Sequence, residues 1–222
     1  MVLFFLIQIT LIACLMVLFL MVYAVINIYQ LDFLPTLLIT IIFTYLLSLV
    51  VLLIVYKGSQ SLMKEKEGEI DGSGIILWTI QVTAFDILIN ITRKLFIHTP
   101  VPDLLYRMFG LKQGKKTTIL THRIWDPDLI EIGANSLIGT NVLLSGHHIR
   151  RGKLYRKRII IGKNVTIGAD TVITPGVTIG DNTIVTIGST IPPNWTLDSD
   201  CLYGGVPVKK LKDYSNRMVN KT

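Results

Sequence analysis

The run Ile161-Gly162-Lys163-Asn164-Val165-Thr166-Ile167-Gly168-Ala169, continued by Pro175-Gly176-Val177-Thr178-Ile179-Gly180-Asp181-Asn182, repeats itself every six residues. Aliphatic residues stand at Ile161, Ile167, Ile173 and Ile179. The same register runs forward to Val185 and Ile191 and, across one break, back to Leu144, Ile138 and Ile132. Most are followed by a small or turn-compatible residue: Gly133, Gly139, Ser145, Gly162, Gly168, Thr174 and Gly180. Three positions after the aliphatics come Asn135, Asn141, His147, Asn164, Asp170, Gly176, Asn182, Gly188 and Asn194. Gly, Asn, Asp and His tolerate positive φ better than other residues. A period of six is neither the 3.6 of a helix nor the 2.0 of a plain strand. It predicts a short strand, a tight turn and another short strand, with one aliphatic pointing inward per hexad. Such hexads build a mainly β domain, a parallel β-helix in which each coil stacks on its neighbours.

Outward from the repeat the composition changes. Half of the 222 residues are hydrophobic, and they crowd toward the start. Met1 to Ile26 and Leu31 to Tyr56 are two apolar runs joined by the polar link Asn27 to Gln30. About 20 apolar residues cross a bilayer core as a helix, so each run is long enough. Neither has the basic start and small-residue cleavage site of a signal peptide. The expectation is a retained transmembrane hairpin. Lys57, Lys64 and Lys66 follow the second run while the link carries no Lys or Arg, which predicts a cell-membrane protein whose C-terminal domain is cytoplasmic. Cys14 and Cys201 lie in different regions, and no disulfide is expected. The net charge of +7 sits outside the apolar runs. Aromatic–basic interleaving of the kind that binds single-stranded nucleic acid is missing, so a membrane surface or an anionic substrate is the expected partner.

Ile75 to Ile97 is mostly apolar with helical spacing, and Thr79, Thr83, Asp86, Asn90 and Arg93 fall on one stripe of it. That stripe faces water if the helix is interfacial, or lines a groove if it is embedded. A third span is disfavoured by the polar side chains it would carry. Pro100 and Pro102 end the segment. The chain therefore divides into two membrane helices (1–57), a linker with an amphipathic helix (58–112), the β-helix (113–210) and a tail (211–222).

The quoted hexads, with Gly204-Gly205-Val206-Pro207-Val208-Lys209 as a closing motif, resemble the hexapeptide-repeat acyltransferases. This resemblance covers about Gln113 to Lys210. It implies a left-handed β-helix with three hexads per coil, assembly as a homotrimer, and acetyl-CoA or another acyl-CoA as donor, with no metal. The single break in the rhythm follows Leu144-Ser145-Gly146-His147-His148-Ile149, where an insertion from about Arg150 to Ile160 intervenes. In the family a protruding loop of this kind adjoins the catalytic histidine. By that resemblance His147 is the general base that takes a proton from an acceptor hydroxyl or amine during direct attack on the thioester, with His148 beside it. The competing reading makes His147 a turn residue chosen for its φ. Backbone groups at Gly168, Ala169 and Gly188 would face the pantetheine arm, and Lys209 and Lys210 the CoA phosphates. Where relatives carry Gly-Ala-Gly-Ser this chain has Thr186-Ile187-Gly188-Ser189, a bulkier surface for the arm to pass.

The insertion carries Arg150, Arg151, Lys153, Arg156, Lys157 and Arg158 without one acid. Beside an anionic leaflet each contributes up to about 1 kcal/mol, so these residues are expected to face the membrane or a lipid-linked acceptor. His122 reads as a turn residue and His98 as a boundary residue. Two other functions stay open at this point. One is a zinc carbonic anhydrase on the same fold, using His122, His147 and His148. The other is a non-catalytic, membrane-tethered trimeric scaffold.

Overall fold

The computed structural model describes residues 2–28, 33–63, 67–95, 99 and 101–215, in two compact units. Met1–Lys64 with Ser73–Thr92 forms a helical unit; Glu65–Gly72 with Arg93–Thr222 forms a β unit. Lys64, Lys66 and His98 lie outside the described residues.

The helical unit contains α1 (Val2–Ile28), α2 (Phe33–Leu62) and most of α3 (Gly72–Leu95). Pro35 sits in the first turn of α2, where its missing N–H costs no helical hydrogen bond. Met16, Leu20, Met21, Leu34, Ile42 and Ile54 are each more than half exposed, far more contiguous apolar surface than a water-soluble bundle leaves open. Leu37–Leu62 and Gly72–Asn90 are long and apolar enough to cross a membrane, with mean hydropathies of 2.9 and 1.6.

The polar stripe of α3 is not water-facing along its first half. Thr79 and Thr83 are buried, as is Gln81. The Thr79 hydroxyl donates to its own helix at Ile75 O (2.8 Å), and this back-bonding lets a hydroxyl be buried without a distant partner. Further along, Thr92 shares a 2.7 Å hydrogen bond with the Tyr45 hydroxyl of α2. The Asp86–Asn90 part is more open, and there Asn90 Nδ2 donates to Asp86 Oδ1 at 2.8 Å.

The β unit opens with β1 (Gly68–Ile70), followed after α3 by the short α4 (Val101–Met108). Leu105, Tyr106 and Phe109 are buried, and the Tyr106 hydroxyl reaches Thr121 O in the first coil. Coil one comprises β2 (Lys112–Gln113), β3 (Thr118–Ile119) and β4 (Ile124–Trp125). Coil two comprises β5 (Ile130–Ile132), β6 (Leu137–Ile138) and β7 (Leu143–Ser145). The chain then leaves the stack through β8 (His147–Arg150) and β9 (Lys153–Arg156). It returns for coil three, β10 (Ile159–Ile161), β11 (Thr166–Ile167) and β12 (Val172–Ile173), and coil four, β13 (Thr178–Ile179), β14 (Ile184–Val185) and β15 (Thr190–Ile191). A partial coil, β16 (Thr196–Leu197) and β17 (Cys201–Gly204), ends in β18 (Lys209–Asp213), which folds back antiparallel on β17.

Strands of successive coils pair in parallel register, forming three faces, so that Ile161 lies over Ile179 and Ile167 over Val185. This is the left-handed parallel β-helix of hexapeptide repeats. Each inward aliphatic from Ile132 to Ile191 is at most 3% exposed, and each contributes roughly 1.5–3 kcal/mol of burial free energy. A second set, two positions earlier, is also buried: Ser136, Val142, Val165, Thr171, Val177, Thr183 and Ser189. These side chains are small because they fill the corners. Their hydroxyls are satisfied by backbone carbonyls, as when Thr183 donates to Asp198 O at 2.7 Å.

The corners carry the left-handed residues. Asn135, Asn141, Asn164, Asp170, Gly176, Asn182, Gly188 and Asn194 all have φ between 56° and 78°. Several stack by side chain: Asn141 Nδ2 donates to Asp170 Oδ1 (2.6 Å) and Asn182 Nδ2 to Asp200 Oδ1 (2.8 Å). His147 is absent from this set. It opens β8 as an extended residue, so the turn-residue reading of His147 is overturned. The chain leaves the coil at that corner, and no left-handed turn is made.

Candidate active site

The excursion is a β-hairpin rather than an irregular loop. Arg151 and Gly152 at its tip have φ of 51° and 76°, the double positive φ that a two-residue hairpin turn requires. Its root is closed where the Lys157 amide donates to Gly146 O (2.8 Å). Across it, His147 pairs with Arg156 and His148 with Tyr155. On the outer edge β1 adds a third strand, with Gly68 opposite Arg156 and Glu69 opposite Tyr155.

At the root the chain stacks on the corner that ends coil one. Asp126 adopts φ 58° there and is 4% exposed, just before a short 3-10 turn, Pro127–Leu129. A Cβ on Gly146 would lie 3.0 Å from Asp126 Cβ and 3.2 Å from Leu129 Cβ, so the absence of a side chain lets the two segments approach. His147 Nδ1–H donates to Asp126 Oδ2 at 2.5 Å, and the imidazole stacks on Trp125 with centroids 5.3 Å apart. The carboxylate on Nδ1 holds the neutral ring in the Nδ1–H tautomer and leaves Nε2 as the proton acceptor. It also stabilises the imidazolium formed when Nε2 takes a proton. His147 is 8% exposed.

Arg156 completes the cluster. It is 1% exposed, and its Nη2 donates to Asp126 Oδ1 (3.3 Å) and to Asp128 Oδ1 (3.1 Å) and Oδ2 (3.2 Å). A buried guanidinium persists only with such partners. Arg156 therefore does not face a membrane, which corrects the expectation for that residue. Lys153 and Arg158 are also compensated, by acids that the insertion itself lacks. Lys153 pairs with Glu69 (2.5 Å), and Arg158 with Glu67 (3.2 Å) and Glu131 (2.5 Å). Hydrogen bonds from Lys153 and the Tyr155 hydroxyl hold the Glu69 carboxyl below the usual carboxylate range, and Glu69 in turn pushes Lys153 upward. Arg150 and Arg151 remain exposed at the tip. Lys157 donates only to a neutral oxygen, Asn194 Oδ1, at 2.7 Å.

His148 points to the other face of its strand, as neighbouring strand residues do. It stacks on Tyr155 with centroids 5.3 Å apart and belongs to a separate pocket. His122 is exposed in coil one at a bend and lacks a left-handed φ. Among the described residues no three His, Cys, Asp or Glu side chains of one chain cluster as metal ligands would.

Gly168, Ala169 and Gly188 do meet at one corner, where the Gly188 amide donates to Ala169 O (2.9 Å). A Cβ on Gly168 would stand 2.5 Å from Ile187 N, so coil stacking alone requires that glycine. Ile187 projects beside them, 76% exposed. Lys210 is committed to Asp198 (2.7 Å) and Asp213 (3.5 Å), and the Asp198 hydrogen bond pushes its ammonium pKa upward. Lys209 and Lys210 are both exposed.

Asp126, Asp128 and Trp125 escape the sequence reading. They lie outside the hexads, and nothing local marks Asp126 as the partner of a histidine 21 residues away.

Residues 158–193 match the family model of the bacterial transferase hexapeptide, six repeats. The chain carries the bacterial transferase hexapeptide repeat. Relatives include YvoF of Bacillus subtilis (strain 168), provisionally named an acetyltransferase, which is 34% identical over 97 residues. That match covers 40% of this chain and 54% of YvoF, so the chain spans about half the length of the curated relative it matches. Solved structures similar to it include the hexapeptide-repeat acetyltransferase VCA0836 of Vibrio cholerae O1 biovar eltor complexed with acetyl coenzyme A. It is 20% identical, with 60% of this chain and 86% of that chain covered and a TM-score of 0.49. Another is a maltose O-acetyltransferase of Clostridium difficile 630, 21% identical, with 63% and 89% covered and a TM-score of 0.47.

Proposed function

We propose that the protein is a membrane-anchored acyltransferase. It moves an acyl group, in the first instance acetyl, from acyl-CoA to a hydroxyl or amine of a lipid-linked sugar or other membrane-held acceptor. The observation that carries this reading is the buried Asp126–His147 pair at the one corner where a hexapeptide coil is interrupted. With Nδ1 engaged, Nε2 takes the acceptor proton as its oxygen or nitrogen attacks the thioester carbonyl. The C–S bond breaks, and CoA thiol leaves. General-base assistance of this kind supplies ~10²–10⁴ in rate. Family membership supports the donor class and a homotrimeric assembly. Gly168, Ala169, Ile187 and Gly188 are the surface proposed for the pantetheine arm, and Lys209 and Lys210 the cations proposed for its phosphates.

The exposed apolar surface of α1 and α2 supports the anchor. Chain topology limits α3, although it is long and apolar enough to cross. β1 precedes α3, β9 follows it, and the two are hydrogen-bonded partners. Both flanks of α3 therefore lie on one side of any membrane. The five residues between Leu95 and Val101 span at most about 20 Å, too little to recross a core about 30 Å thick. Two spans, α1 and α2, with α3 along the surface and the β unit in the cytoplasm, fit this connectivity.

The test is release of CoA thiol from acetyl-CoA by the full-length protein in native membranes, with mass spectrometry of the lipid fraction. A gain of one acetyl mass on a membrane component is expected. Thiol release that persists unchanged after the membranes are stripped of lipid and lipid-linked glycan would overturn the membrane-held acceptor.

A further inference from the structure

The outer face of the excursion hairpin carries a pocket of about 100 Å³ lined by Gly68, His148, Tyr155, Arg156, Lys157, Pro175 and Asn194. We propose that it is the acceptor subsite for an anionic group, a phosphoryl or carboxylate, held by Lys157 with the help of Asn194 and His148. This rests on the transferase reading above and adds the acceptor's chemistry to it.

Charge accounting on the hairpin points there. Lys153, Arg156 and Arg158 each have a carboxylate partner within 3.3 Å, whereas the Lys157 ammonium has only the amide oxygen of Asn194. Among the described residues it is the cation at the hairpin root without a carboxylate, and it lines a cavity. His148, which also lines it, has its Nδ1 enclosed with no hydrogen-bond partner among the described residues, a buried polar atom that a small shift of the ring could turn to a bound group. The stacked rings of His148 and Tyr155 and the ring of Pro175 supply apolar walls. These walls raise the strength of a charged hydrogen bond made between them. The volume suits a phosphate or carboxylate, not a nucleotide.

The pocket also connects to the dyad through one side chain. Arg156 lines it and, on the other side, holds Asp126, the partner of His147. An anion seated against Lys157 would thus hold one end of the acceptor one side chain, Arg156, away from the Asp126–His147 pair. The same chemistry could come from the donor, whose CoA portion carries phosphates, so the experiment must separate the two.

Inorganic phosphate is the probe, titrated by ³¹P line broadening into the full chain in detergent, with and without saturating CoA. The expected result is saturable binding that CoA leaves unchanged. Lys157→Gln should weaken it about tenfold or more, the loss of one charge-assisted hydrogen bond. Lys157→Arg should retain most of it, and Lys115→Gln, at an exposed lysine in coil one, should leave it unaltered. Displacement of phosphate by CoA would assign the pocket to the donor and overturn the proposal. Equal binding by the Lys157→Gln protein would overturn it too. A chain that binds phosphate through Lys157 yet releases no thiol from acetyl-CoA would sink the transferase reading, and with it the acceptor assignment, while leaving an anion pocket.

Discussion

The β-helix has two kinds of corner. At Asn135, Asn164 or Asn182 the residue is there for its backbone: φ is near +58° and the side chain stacks on a neighbouring corner or faces solvent. At residue 147 the corner is abandoned, the backbone is extended, and the side chain is turned in on Asp126. The same place in the hexad thus serves conformation in the coils and a buried side-chain pairing at the break. A histidine released from making a turn can be oriented by its partners alone, and its partners are Asp126 and the face of Trp125.

Substitution at His147 should show the largest effect and breaks the comparison most directly. His147→Ala and His147→Asn should each lower acyl-CoA turnover by ~10²–10⁴, and both should also lower the thermal midpoint, because each takes a buried partner from the Asp126 carboxylate. Because no left-handed φ has to be kept, Asn holds no advantage over Ala here. An active His147→Asn protein would remove the general-base role.

Inside a regular coil the cost falls on stability instead. Ile173→Ala deletes a fully buried side chain and should cost about 2–5 kcal/mol, read as a lower denaturation midpoint. At a regular corner the effect is smaller and has a different cause. Asn182→Ala places a Cβ residue with no polar side chain at φ 57° and should cost roughly 1–2 kcal/mol, most of which Asn182→Gly should restore. If Asn182→Ala and Asn182→Gly lower the denaturation midpoint equally, the corner at 182 is not held by its backbone conformation and the two corners do not differ in the way described.

The smallest effect concerns the outer edge of the hairpin. Glu69 titrates below its ordinary value because Lys153 and Tyr155 bond its charged form. Its contribution is therefore fully present above the unfolded carboxylate value of about 4.3 and is lost as pH falls through the lower folded value. Amide exchange in β1 and β9 should accelerate selectively on acidification below about pH 4, and Glu69→Gln should abolish that dependence. Exchange that is insensitive to pH after intrinsic rates are corrected would show that the ion pair does not hold β1.

How far the sequence could be read follows from the range over which each feature is decided. The hexads are legible because each repeats a local rule, an inward aliphatic followed three residues later by a left-handed corner, and coils three and four obey it with strands paired 18 residues apart, as Thr166 with Ile184. Coil one does not: Ile124 pairs with Leu144, 20 residues on, with the extra turn Pro127–Leu129 between them. Counting by sixes therefore misses that Asp126 stacks at the root of the break. The six cations of the insertion read as one basic surface because the acids that pair with Lys153, Arg156 and Arg158, namely Glu67, Glu69, Asp126, Asp128 and Glu131, come from other parts of the chain. A stripe of polar residues on α3 reads as water-facing, yet Thr79 returns its hydroxyl to its own backbone and packs inside.

Sequence by itself determined the repeat, the corners, the apolar helices and the place where the coil is interrupted, because these rest on side-chain type and spacing within a few residues. Only the tertiary structure decided that His147 is a buried, oriented imidazole, that Arg156 belongs to the core, and that a strand from the 65–72 segment braces the hairpin. Those outcomes depend on which distant carboxylate meets which cation. Burial makes that choice severe, since an unpaired charge taken out of water costs several kcal/mol, but it leaves no periodic trace in the chain.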